Sequence, residues 1–372
     1  MRVVDGFLIV LGALVVWIVA SDLFVSAVVP RPAPGIRPSS ILVRNEWWIW
    51  RGLTGRLMSI HSREAMLGRF APFALLTVLV FWALGLVLGF GLILYGLRSQ
   101  IEPMPGNLGE AIYSSAVSLV IGAGDYHPTG GVARLLALIE AGVGLGLVAM
   151  MIALLFSLYA SFQRREVLVV TLDALAGAPP SGVVLLENSK RLGLMEHLDD
   201  VLDEWKVWAA EVLESHLAYP ILNYFRSSHD NESWISALGA VLDASTLLLT
   251  TLEEGPQGAA KLTYQVGTHL TEDLSHLFGF AEDHDPGVER FEWDQARERL
   301  AEAGYRLRAA EVAWPDFVKK RAQYALALNA MARHWAIPPA QWIGDRSPVR
   351  YRLAVHPERA PARTTEASAS RR

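Results

Sequence analysis

Three long apolar runs constrain this chain more than any other feature. A helix needs about 20 mostly apolar residues to cross the hydrocarbon layer of a bilayer. Gly6–Val29 supplies 24 with one charge, Asp22; Phe70–Leu97 supplies 28 with none; Leu135–Gln163 supplies 29 with one, Glu140. A fourth stretch, Leu108–Ile121, has 14 residues. It is too short to span and too apolar for a water-exposed loop. It therefore reads as re-entrant and shielded by protein, because its backbone ends cannot face lipid.

Charge separates the chain into two parts. Residues 1–163 hold 18 charged side chains and residues 164–372 hold 53. The first part has a membrane-like composition and the second that of an ordinary soluble domain. Net charge is about +2 in the first part and −7 in the second, so neither has the basic excess expected of a nucleic-acid binder. The chain has no cysteine, which excludes disulfides, Cys-ligated zinc and thiol nucleophiles.

Loop charges set an expected orientation. Residues 30–69 carry Arg31, Arg37, Arg44, Arg51, Arg56, Arg63 and Arg69 against Glu46 and Glu64. Residues 98–131 carry Arg98 against Glu102, Glu110 and Asp125. The positive-inside rule puts the first loop in the cytoplasm and the second outside. The third apolar run then exits into the cytoplasm at Gln163-Arg164-Arg165, with the N-terminus outside. Cleavage after Val25-Ser26-Ala27 as a signal peptide is disfavoured, because the apolar run is too long and the arginine-rich loop would be left outside. Asp22 is expected to snorkel or to pair with an arginine of the 30–69 loop.

Residues 40–68 mix Ile41, Leu42, Trp47, Trp48, Ile49, Trp50, Leu53, Leu57, Met58 and Ile60 with Arg44, Arg51, Arg56 and Arg63. Tryptophan and arginine together suit a helix lying in the headgroup layer. The alternative is a cytoplasmic helix packed on the C-terminal domain.

The re-entrant segment carries the chemistry. It reads as a helix over about Leu108–Leu119, an extended segment containing Gly122 and Gly124, and a turn at Pro128. The helix points its partially negative C-terminal end into the membrane, which favours a cation. The glycines let alternate carbonyls turn toward one axis, and rings of carbonyls replace an ion's hydration shell.

In this segment the sequence resembles the pore region of the two-transmembrane potassium-channel family. The matching residues are Ser118, Gly122, Gly124, Asp125, Pro128 and Arg134, and the following helix adds Glu140, Gly142, Gly144 and Gly146. The resemblance spans roughly residues 70–163. It implies an outer helix, pore helix, filter and inner helix, with monovalent cations, potassium above all, as permeant ions and no other cofactor. Filter carbonyls would come from Val120, Ile121, Gly122, Ala123 and Gly124, followed by Asp125, with Ser118, Pro128, Arg134 and Glu140 as pore support. Val120 stands where the family has threonine and Ala123 where it has tyrosine, so a hydroxyl ligand and a bracing ring are missing and weaker potassium selectivity is implied. Glu140 fits either a structural contact with the filter loop or Arg134, or a gating role. Gly142, Gly144 and Gly146 fit either a gating hinge or close helix packing.

From residue 164 onward the pattern is helical, with helices expected over 164–176, 187–215, 218–227, 232–252, 257–280, 289–311 and 315–335. Pro179-Pro180-Ser181-Gly182 reads as a linker and Asp285-Pro286-Gly287 as a turn. A polar and aromatic stretch holds His216, Tyr219, Pro220, Asn223, Tyr224, Arg226, His229, Asp230, Asn231 and Trp234. It reads as a capped helix–turn–helix corner, with a ligand pocket as the alternative. His269, Asp273 and His276 share a helix face at metal-compatible spacing, a weak candidate because exposed amphipathic helices produce such triplets by chance. No nucleotide-binding glycine pattern follows a strand, and Ser227-Ser228-His229-Asp230 is contiguous where triads assemble in space, so an enzyme is not expected.

The expected fold is an all-α membrane protein. It has three transmembrane helices plus a re-entrant pore helix and filter loop, followed by a helical cytoplasmic domain. The expected divisions are a first transmembrane helix (1–29), an interfacial linker (30–69), the pore module (70–163), the cytoplasmic domain (164–354) and a disordered tail (355–372). The expected function is a potassium-channel-like cation channel of the cell membrane, a homotetramer held in the lipid bilayer. A non-conducting membrane scaffold or sensor is the alternative.

Overall fold

The computed structural model describes residues 3–29, 37–57, 60–122, 124–227, 233–280, 287–337 and 342. Ala123, His229–Asn231, Asp285-Pro286 and the tail after residue 355 lie outside them. The protein is all-α and has three helices long and apolar enough to cross a membrane. The strand content described is one two-residue pair, β1 (Ile101–Glu102) with β2 (His127–Pro128), plus an isolated bridge between Leu252 and Leu307. The chain divides into two compact units. One comprises Met1–Arg56, Met66–Arg164 and Glu214–Phe225; the other comprises Leu57–Ala65, Arg165–Leu213 and Arg226–Arg372.

The first unit is built on α1 (Val3–Ala27) and α4 (Phe70–Gly96), which pack antiparallel. Glycine sets their spacing. A Cβ on Gly89 would meet the Val16 side chain at 2.7 Å, and one on Gly85 would meet Val19 at the same distance. Small residues four apart let two apolar helices approach at backbone distance, where dispersion replaces the hydrophobic effect that lipid does not provide. Arg98 just past α4 pairs with Asp5 at one end. Near the other end, Asp22 accepts hydrogen bonds from Trp82 Nε1 (2.8 Å), Ser39 Oγ (3.0 Å) and Ser39 N (3.2 Å). Asp22 is buried and does not snorkel; among the described residues an indole and a serine, and no arginine, reach it.

The 30–69 segment forms α2 (Pro38–Leu57) and α3 (Ile60–Gly68). Residues spaced along one side of α2, Ser39, Val43, Trp47 and Thr54, are buried. The Trp47 ring meets Phe70 and Tyr224 edge-on, and Trp50 donates from Nε1 to the Met66 carbonyl. This face packs within the first unit, which includes Tyr224 from the stretch expected to form the C-terminal domain.

In the second unit the expected helices are differently divided. The run expected over 187–215 is two helices, α7 (Gly182–Arg191) and α8 (Leu198–Ala218), because Gly193 reverses the backbone at φ 72°. The run over 289–311 breaks after α11 (Arg290–Glu302) at Gly304, φ 97°, before α12 (Ala310–His334) begins. Both glycines take a left-handed conformation that other residues resist. Residues 164–176 are no separate helix but the end of α6 (Gly131–Ala176). In the first unit, the helix expected over 218–227 is a short 3-10 turn, Pro220–Tyr224, since proline opens it and an extended Phe225 ends it. The core of the second unit gathers α7, α9 (Trp234–Thr250), α10 (Gln257–Phe278) and α12. Buried polar ties cross it. Arg299 grips Glu187 through two nitrogens, and Asp243 accepts from Tyr324 Oη at 2.6 Å and from Arg321 Nε at 3.2 Å.

Candidate functional site: a re-entrant helix and its loop

The site lies between α4 and α6 and is built on α5 (Leu108–Val120). Thirteen residues rise about 20 Å, too little to cross a bilayer. The helix start is tightly capped. Asn107 Oδ1 accepts from Glu110 N at 3.0 Å; Glu110 returns bonds to Gly106 N (2.7 Å) and Asn107 Nδ2 (2.8 Å). Glu110 also accepts from Tyr126 Oη at 3.1 Å, so the chain leaving the loop is tied to the start of the helix that enters it. A carboxylate here also suits the positive end of the helix dipole.

Two rungs join α5 to α6. Ser115 Oγ donates to Glu140 Oε1, and both residues are fully buried. One turn further along each helix, Gly144 lies against the Leu119 carbonyl oxygen, where any Cβ would collide. Glu140 thus contacts α5; among the described residues no hydrogen bond joins it to the following loop or to Arg134. Arg134 instead donates from Nε to the Pro128 carbonyl at 3.2 Å, and its side chain is exposed. Gly144 is a packing residue within the chain, while Gly142 and Gly146 meet nothing within 4 Å of a built Cβ.

The loop departs from the expected geometry at its beginning. Val120 is still helical and Ile121 keeps an αR backbone, so neither is extended. The helix stops at Gly122, φ 82°, whose N–H bonds to the carbonyls of Ser118 (3.0 Å) and Val117 (3.3 Å). This is a glycine helix stop of the kind that satisfies last-turn carbonyls. Without it, the β-branched pair Val120-Ile121 has no local signal to leave the helix, which explains why the extended segment does not start at residue 120. Their side chains are 80% and 74% exposed in the single chain, two of the least covered apolar groups in the module. Gly124 packs closely on Val117, and Asp125 is exposed.

The return from the loop is held by Gln100, which sequence reading did not single out. Its carbonyl accepts from Thr129 N (2.8 Å), Thr129 Oγ1 (3.1 Å) and Gly130 N (3.3 Å), while its side-chain oxygen caps α6 at Ala133 N (3.3 Å). Beneath it, Leu94, Ile101, Ala111 and Ala133 form a small core covered by Tyr95, Tyr126 and Leu136. Ser115 and Gln100 carried no signal in isolation, because their side-chain partners lie 25 and 33 residues away; Glu110 has local capping partners, but its tie to Tyr126 spans 16 residues.

The other candidates resolve into structural roles. Asn223 donates to Pro220 O, closing the 3-10 turn, and Tyr219 accepts from Ser157 Oγ. In the second unit Arg226 binds the carbonyls of Trp335 and Ala336, both at 2.7 Å, and pairs with Glu64. Trp234 is buried beside Trp335. These contacts are those of a capped corner. His269 and Asp273 form an i,i+4 pair at 3.7 Å, and His276 does not join them: among the described residues no group of three His, Asp or Glu side chains is gathered to hold a metal ion.

No solved structure matches the chain. A curated relative, "Uncharacterized membrane protein YdjJ" of Bacillus subtilis (strain 168), is 24% identical over 205 residues. The match takes in 54% of this chain and spans 58% of the relative's length. Residues 77–161, from within α4 to near the end of the apolar part of α6, match the family model described as "Ion channel", in the same segment whose residues resemble the potassium-channel pore.

Proposed function

We propose that the chain is one subunit of a homotetrameric cation channel of the cell membrane, with weak potassium preference. The observation that carries this reading is the joined order α4, α5, Gly122 reversal and α6: a helix too short to span is clamped to a spanning helix by Ser115–Glu140 and Leu119–Gly144. One such loop cannot enclose an axis, so conduction requires several copies. The uncovered apolar side chains of α6, including Leu138, Leu145 and Ile152, are available to neighbouring copies and to lipid. Carbonyls of Val120, Ile121, Gly122, Ala123 and Gly124 are the ion ligands in this proposal, with Asp125 at the mouth. Because Val120 and Ile121 are helical in the single chain, a continuous carbonyl ring requires the last turn of α5 to extend on assembly. Gly142 and Gly146, where a built Cβ meets nothing within 4 Å among the described residues, are the hinge candidates in α6. The arginine-rich 30–69 segment and the C-terminal domain are cytoplasmic in this scheme, and the N-terminus is external.

The same helical Val120-Ile121 favours a second reading, in which the module does not conduct and anchors an oligomeric scaffold or sensor. Selectivity measurements address the first reading in detail. Val120 offers no hydroxyl and residue 123 no ring, so bi-ionic reversal potentials are expected to show little discrimination between potassium and sodium. Val120→Thr with Ala123→Tyr is expected to raise it. Strong potassium selectivity in the unaltered protein would mean that something other than these two positions braces the filter.

A further inference from the structure

The helix α2 is apolar on two sides, and one of them is uncovered. Ser39, Val43, Trp47 and Thr54 face the protein; Trp48, Ile49 and Leu53 are 58%, 64% and 53% exposed on the other side, with Ile41 beside Trp48. Contacts fix the depth of this uncovered side. Glu46 accepts from Thr77 Oγ1 at 2.9 Å, and Thr77 lies seven residues into α4, about 10 Å along its axis. At its other end Ser39 is bonded to Asp22, five residues before the end of α1. With 27 residues, α4 is about 40 Å long, roughly 10 Å more than a hydrocarbon layer. Centred on that layer, α4 reaches about 5 Å past each face, so Thr77 lies about 5 Å inside the acyl boundary and Trp82, which shares Asp22 with Ser39, lies deeper. A helix pinned at that level exposes its outer face to lipid. The charges on it are cationic: Arg44 is exposed, and the Arg51 guanidinium lies 5.9 Å from the Trp48 ring centroid. Guanidinium groups bind phosphate oxygens in pairs.

We propose that α2 is a lipid-binding helix that seats Ile49 and Leu53 in the acyl boundary and holds anionic phospholipid headgroups through Arg44 and Arg51. The occupant of its uncovered face is the bilayer surface, with the headgroup phosphate as ligand. This stands whether or not the pore conducts.

The chain has no cysteine, so a single introduced cysteine gives a unique labelling site. Full-length protein carrying a nitroxide at Ile49→Cys or Leu53→Cys is placed in bilayers of phosphatidylcholine alone or mixed with phosphatidylglycerol. The control label is at exposed Glu298→Cys. Labels at 49 and 53 are expected to be more accessible to oxygen than to a water-soluble nickel chelate, and the control the reverse. With spin-labelled phosphatidylglycerol and unlabelled protein, the preference for the anionic lipid is expected to fall about fivefold or more in Arg44→Gln/Arg51→Gln. Arg44 is exposed and Arg51 half-buried, and glutamine keeps a long polar side chain at both, so the variant is expected to melt with wild type, which a thermal melt of the same preparation checks. Nickel access at 49 and 53 equal to the control overturns the proposal, as does spin–spin broadening that reveals a second copy on this face. An anionic-lipid preference unchanged by the double substitution overturns the assignment of the headgroup ligand.

Discussion

Asp22 and Glu140 are buried carboxyls in apolar helices, and each is met by neutral donors. Asp22 gathers Trp82 Nε1 and both donors of Ser39, so it fixes the end of α1 to α4 and to the start of α2. Asp22→Ala strands those donors, at a cost of about 1–3 kcal/mol for each buried one left unsatisfied. Asp22→Asn keeps an acceptor for Trp82 and is expected to lose less. Thermal melts in detergent should rank wild type above Asn and Asn above Ala; equal melting of the two variants would show that these bonds contribute nothing. In the second unit, burial raises the pKa of Asp243 by more than Arg321 and the Tyr324 hydroxyl lower it. A carboxyl whose folded pKa is raised contributes its full stability below its unfolded pKa, near 4, and loses it as pH rises through the folded value. The melting temperature of wild type relative to Asp243→Asn should therefore increase as pH falls from neutral. A flat or opposite trend would mean that Arg321 outweighs burial.

At the scale of elements, the spanning helices were legible because length and apolarity alone define them. Leu108–Val120 was legible for the same reason, being apolar yet too short. What the sequence hid were joints. Gly193 and Gly304 interrupt helix-forming stretches without a proline, and a lone glycine inside a helical pattern does not by itself announce a stop. The Ser115–Glu140 and Trp82–Asp22 bonds link residues 25 and 60 apart, and no local pattern encodes such a pairing. Gly142, Gly144 and Gly146 of α6 looked alike in sequence, and only packing separates them. Gly144→Leu should drive α5 off α6 and destabilise by about 1–3 kcal/mol or more. Gly52→Ala, at a helical position with open space around it, should be neutral or stabilising by up to about 1 kcal/mol. Comparable melting of these two variants would contradict the assigned contact between Gly144 and Leu119.

At the scale of the whole molecule, the account rests on copies of this chain meeting around an axis. The ion-channel match covers residues 77–161 and does not extend to the 30–69 segment or the helical C-terminal residues, so the central claim concerns the stretch from α4 to α6. Cation flux from purified protein in sealed liposomes tests it most directly, read beside the oligomeric state of the same preparation. The account predicts flux from tetramers, abolished in Gly122→Asp with tetramers intact, because that position has a left-handed backbone and ends α5 at the loop. Well-assembled tetramers that pass no cation at any voltage or pH applied would contradict it and leave the membrane scaffold as the function.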